Sequence, residues 1–88
     1  MWLVVRDEKG ESRFSLNSLN IVRLQIKQTG GEEALLWADT VDNKGCILTR
    51  GSRNWCDHFF NLIINEKENP GTLEIPEREK KETTTDAL

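Results

Sequence analysis

No apolar run in these 88 residues approaches the roughly 20 that a helix needs to cross a bilayer. The apolar opening at residues 2–5 has neither the length nor the preceding basic segment of a secretory leader, so the expected location is the cytoplasm. Positive charge is also in short supply. Twelve Lys and Arg stand against 15 Asp and Glu, for a formal charge of -3 and a pI near 5.1. That balance argues against broad, nonspecific affinity for nucleic acid, which comes chiefly from neutralising phosphates; a local basic patch is still compatible with it.

Metal ligands and nucleophiles are equally sparse. One histidine, His58, and two cysteines, Cys46 and Cys56, without CxxC or HxxxH spacing, make a poor zinc set. Neither a metal nor a cofactor is expected. The cysteines are expected as reduced, mostly buried thiols, because a free cysteine packs as a small hydrophobe and nothing else suggests a disulfide scaffold. His58 follows Asp57 in a helical stretch, where neighbouring side chains point about 100° apart, so Asp57 is badly placed to orient it. Pairing His58 with a cysteine would require a depressed thiol pKa and a cleft, and no catalytic set is expected. The Gly30, Gly31 pair lacks the fuller glycine pattern, the lysine and the following helix of a phosphate loop. Asp39, Asp42 and Asn43 lack the distal glutamate and central glycine of a calcium loop and read as turn chemistry.

What is present is one small domain's worth of patterned chain, 36% hydrophobic and 31% charged. Residues 2–6 are β-branched and aromatic-rich and predict a strand ending in a turn over 7–10. Residues 12–16 alternate around Phe14 and Leu16 and predict its antiparallel return. A corner is expected over 17–20. From Ile21 the alternation is cleanest, with Val22, Leu24 and Ile26 set toward a core and Arg23, Gln25 and Lys27 toward water. A loop over 28–33 then leads to a strand over 34–41, with a short helix near 34–39 as the alternative. A hairpin turn over 42–45 returns the chain through 46–49.

Gly51 ends the strand region, and Ser52 or Asn54 is suited to cap a helix running to about Asn65. Trp55, Cys56, Phe59, Phe60, Leu62, Ile63 and Ile64 give that helix a broad apolar stripe. Asn69, Pro70 and Gly71 stop it. Leu73 and Ile75 then alternate in a short extended piece suited to a sheet edge. Nothing apolar supports a core beyond Pro76, so residues 1–76 are expected to form one domain and 77–88 a disordered, charged tail.

The fold class expected is α+β: an antiparallel meander of four to five strands with one C-terminal helix packed on one face. Two candidate surfaces emerge. Arg50, Gly51, Ser52 and Arg53 combine a helix N-terminus with forked cations and form a candidate anion site. Leu35, Trp37 and Val41 form a candidate interface if they share the sheet face opposite the helix. The leading functional reading is a small non-enzymatic protein-interaction module, self-associating or binding a partner through an open sheet face or edge. The second is an anion- or nucleic-acid-binding domain using Arg13, Arg23, Lys27, Arg50 and Arg53, and the third an enzyme using Asp57, His58 or a cysteine.

Overall fold

The apolar start of the chain and an aspartate placed to close a turn decide how the fold begins. In a computed structural model describing residues 1–80, strand β1 (Trp2–Arg6) is followed by β2 (Ser12–Asn17). Asp7 Oδ1 accepts from the backbone N–H of Lys9 at 2.9 Å and of Glu11 at 3.0 Å, fixing the turn between them. Leu3 pairs with Leu16 and Val5 with Phe14, so one face of the hairpin is apolar. The expected corner is a short 3-10 turn, Ser18–Asn20, in which the Asn17 side chain accepts from the Leu19 N–H.

Three strands then form an antiparallel meander: β3 (Ile21–Gly30), β4 (Glu33–Thr40) and β5 (Gly45–Gly51). The loop after β3 is tighter than its polar composition suggests, because Gly30 pairs with Glu33 and leaves only Gly31 and Glu32 at the tip. On β4, Ala34, Leu36 and Ala38 are fully buried, while Leu35, Trp37 and Asp39 alternate onto the other face. β3 departs from the expected pattern at one place. A bulge between Ile21 and Arg23 leaves Val22 unpaired and 63% exposed, and Ile21 takes the buried position at 5%. Val22 is therefore not a core residue, because one extra residue inverts the alternation on its N-terminal side. A second irregularity, between Leu36 and Trp37, lets the adjacent Leu48 and Thr49 of β5 both be buried.

Helix α1 (Arg53–Asn65) lies across β3, β4 and β5. Ser52, not Asn54, is its cap, accepting from the Trp55 N–H at 3.2 Å. Cys56, Phe59 and Ile63 are buried, whereas Ile64 is 51% exposed, so the apolar stripe is narrower than the composition of the segment suggests. Strand β6 (Thr72–Pro76) pairs with β1 in parallel, matching Leu73 to Leu3 and Ile75 to Val5.

The fold is α+β. Its antiparallel strands are divided between two sheets, β2-β1-β6 and β3-β4-β5. Leu3, Val5 and Ile75 of the first sheet join Leu36 and Leu48 of the second and Cys56, Phe59 and Ile63 of α1 in one core cluster. Burial of each large apolar side chain contributes about 1.5–3 kcal/mol. Residues 77–79 tie the sheets together: Glu77 N–H donates to Arg6 O at 2.8 Å, Arg50 N–H to Glu77 O at 3.0 Å, and Glu79 N–H to Arg50 O at 2.7 Å. The tail expected from residue 77 thus begins with a hydrogen-bonded segment, since backbone pairing needs no apolar side chains. Residues 81–88 lie outside the described residues.

Candidate functional site

The turn from β5 into α1 was expected to offer free amides and two arginines to an anion. Its first amide is already taken, because Ser52 N–H donates to Glu79 Oε1 at 2.7 Å. Gly51 makes this approach possible: a Cβ there would lie 2.6 Å from the Glu79 Cβ and 2.8 Å from Trp55 Cδ1. The chain itself therefore supplies a carboxylate where the helix dipole favours negative charge. Arg53 pairs with Asp57 at 3.5 Å. Gly51 and Ser52 border an open cleft of about 1050 Å³, and Glu32, Glu33, Glu77 and Glu79 on its walls outnumber Arg6, Arg78 and Lys80. This is an acidic setting for an anion.

The face of β3-β4-β5 turned away from α1 is built differently. Strand register sets Leu35 between Lys27 and Arg50, Trp37 between Gln25 and Ile47, and Asp39 between Arg23 and Gly45. Directly opposed residues share a sheet face. Leu35, Trp37 and Ile47 stand outside the core cluster, which gathers on the helix side. Of the candidate interface residues, Trp37 lies on this face half-buried, and Leu35, flanked by the two cations, is only 8% exposed. Val41 is 62% exposed but lies beyond the end of β4, where its N–H donates to Asn20 O. Of the three, Leu35 is thus nearly buried, Trp37 half-buried and Val41 exposed beyond the strand end.

Trp37 is held from several sides. Its ring lies against Gly45, where an added Cβ would come within 2.0 Å of Cζ2. Its Nε1–H donates to Asp39 Oδ1 at 2.8 Å, and the Lys27 ammonium stands 4.4 Å from the ring centroid. Asp39 also accepts from Arg23 Nε at 3.2 Å. The Trp37 hydrogen bond, followed by Arg23 and Lys27, holds the Asp39 carboxyl below its ordinary value. With Arg23, Lys27 and Arg50 against Asp39 and Glu33, which alternates onto the same side of β4, the face carries a small net positive charge on a chain whose total is -3. The cations were visible in the sequence as separate residues. The alternation of β3 places Arg23, Gln25 and Lys27 together, whereas Gly45 reads only as a turn residue and Ile47 only as a strand residue until the strands are paired.

The remaining candidates stay apart. Burial pushes the Cys46 and Cys56 thiols up, with Asp39 adding to the effect at Cys46 and Asp57 at Cys56. Both cysteines are free. His58 is exposed and packs edge-on to Phe59, with ring centroids 5.0 Å apart, while Asp57 is engaged by Arg53. Arg13 pairs with Glu77 at 3.2 Å on the other sheet. Asp42 accepts from the Thr40 hydroxyl within its own turn. Among the described residues, no group of three or more His, Cys, Asp or Glu is placed to hold a metal ion, and no helix is long and apolar enough to cross a membrane. Comparison of the chain with known families, curated proteins and solved structures finds no match.

Proposed function

We propose that the chain is a small, non-enzymatic interaction module that holds a macromolecular partner on the outward face of β3-β4-β5. The observation that carries this reading is the fixed Trp37 indole, set on Gly45 and bonded to Asp39 on the side of the sheet away from the core. A large side chain immobilised before binding loses little further entropy on contact, the usual property of an interface anchor. The raised thiol pKa values, the exposure of His58 and the engagement of Asp57 by Arg53 support binding over catalysis. A reducing, cytoplasmic setting is part of the proposal, supported by the two free thiols.

The test is a photo-cross-linking side chain placed at Gln25, on this face, or at Asn61, on the exposed side of α1. Adducts to another macromolecule are expected from position 25 and not from position 61. Equal labelling from both positions, or none from position 25, would remove the reading.

Self-association is the second reading, and a different surface favours it. The outward sheet face would oppose its own cations in a two-fold dimer. Leu19, Val22 and Val41, at 57%, 63% and 62% exposure, instead gather where Val41 N–H meets Asn20 O. Sedimentation across a concentration series tests this: a dimer is expected that Val41→Glu abolishes, and a monomer throughout removes the reading.

A further inference from the structure

Resting on the open-face reading, we infer that the partner held there is single-stranded nucleic acid, with a base stacked on Trp37 and the backbone phosphates met by Lys27, Arg50 and Arg23. The charge on this face opposes the charge of the whole chain, which selects a polyanion for this surface and leaves the acidic cleft unsuited to one. The indole selects further. Because the ring lies against Gly45, it offers a π-face to a ligand, and the Lys27 ammonium 4.4 Å from the centroid marks that approach as compatible with positive charge and a planar group together. On the β3 side the ring meets Gln25, with Lys27 and Arg23 to either side, a polar and cationic edge that suits a base joined to phosphate, while Ile47 lies on the β5 side.

Binding then proceeds by exchange. A phosphate draws the exposed Lys27 ammonium off the ring, and a base takes the place it leaves. The exchange is downhill because base stacking on an aromatic side chain outweighs an exposed cation–π contact. Asp39 does not repel the strand, since its oxygens are engaged by Trp37 and Arg23. Readout by stacking and phosphate contact carries little sequence preference, so a pyrimidine homopolymer suffices as a probe.

The experiment measures fluorescence anisotropy of three labelled probes with the full chain: a short oligothymidylate, an abasic deoxyribose-phosphate chain of equal length, and an acidic peptide of matching charge. The oligothymidylate is expected to bind most tightly, with log K falling against log salt at a slope of about -1.4 for two phosphate contacts to about -2.1 for three. Trp37→Ala weakens oligothymidylate binding by roughly tenfold or more and abasic binding by far less, while Trp37→Phe keeps part of the difference. Lys27→Gln reduces the slope by about 0.7 for both nucleic probes. Circular dichroism and melting curves of each variant confirm that it is folded. Equal affinity for the abasic chain or the acidic peptide overturns the inference, and so does an absence of oligothymidylate binding at low salt. If the oligonucleotide fails while the cross-linker at position 25 captures a protein, the ligand class falls and the open-face reading stands.

Discussion

Trp37 and Asp39 sit two residues apart on one face of β4, and the indole Nε1–H donates to the carboxylate at 2.8 Å. This bond favours the ionised carboxylate, so the folded pKa lies below the ordinary 3.8. A depressed carboxyl pKa contributes stability that is fully present above the unfolded value and is lost as pH falls through the folded one. Tryptophan emission is therefore expected to change in acid below pH 3.8, in wild type and not in Asp39→Asn. Identical acid titrations of the two proteins would show that Asp39 does not hold the ring.

Gly45 gives a second handle on the same ring. Gly45→Ala places a methyl 2.0 Å from Trp37 Cζ2 and forces the indole away. A loss of about 1–3 kcal/mol is expected in urea unfolding, as for other overpacking substitutions. Adding Trp37→Ala to Gly45→Ala should cancel most of that loss. An additive double mutant would place the strain in the backbone and not the ring.

Thr49 joins the helix to the outer strand. Its hydroxyl accepts from Trp55 Nε1 at 2.8 Å and donates to Pro76 O at 2.6 Å, with the residue fully buried. Thr49→Val keeps the shape and strands both partners, at a cost of about 2 kcal/mol or more. Thr49→Ser, which keeps the hydroxyl, should lose only about 1 kcal/mol. Equal losses from the two variants, read from denaturant midpoints, would show that packing alone matters at this position.

Glu79 bonds to Ser52 N–H at the start of α1. Glu79→Ala is expected to lower stability by about 1–2 kcal/mol and to open the helix end to an outside anion. Added sulfate should then raise the melting temperature of the variant more than that of wild type. Equal sulfate effects would mean that the turn holds no latent anion position.

Burial raises both thiols above 9.0, so alkylation by iodoacetamide near neutral pH should be slow in the native protein and fast in denaturant. Fully buried Cys56 should react more slowly than half-buried Cys46. Rapid native labelling of Cys56 would contradict its packing under α1.

Much of the fold could be read from side-chain pattern, because period-two alternation and capping chemistry are local. The strand over 34–41 and the helix cap at Ser52, one of the two residues suited to it, both appear where the residues predict them. Val22 was misplaced because a bulge leaves no mark in composition and reverses the face of each residue before it. The division into two sheets was hidden for a related reason, since strand pairing is set by partners distant in sequence. The outward face shows the same limit. Arg23 and Lys27 were legible as water-facing, but their meeting with Trp37 and Arg50 depends on register across three strands. Glu79 at the helix start could not be foreseen, because its role comes from a β6 exit that crosses to Arg50.

The parallel pairing of β1 with β6 also bears on how the chain is made. β1 leaves the ribosome before the meander, α1 and its edge neighbour β6, so the side of Trp2–Arg6 that β6 covers stays unmatched while everything between is synthesised. The β3-β4-β5 meander and α1 are complete before that edge closes. A nascent chain halted before Thr72 therefore carries an open apolar strand that a chaperone or another chain can take.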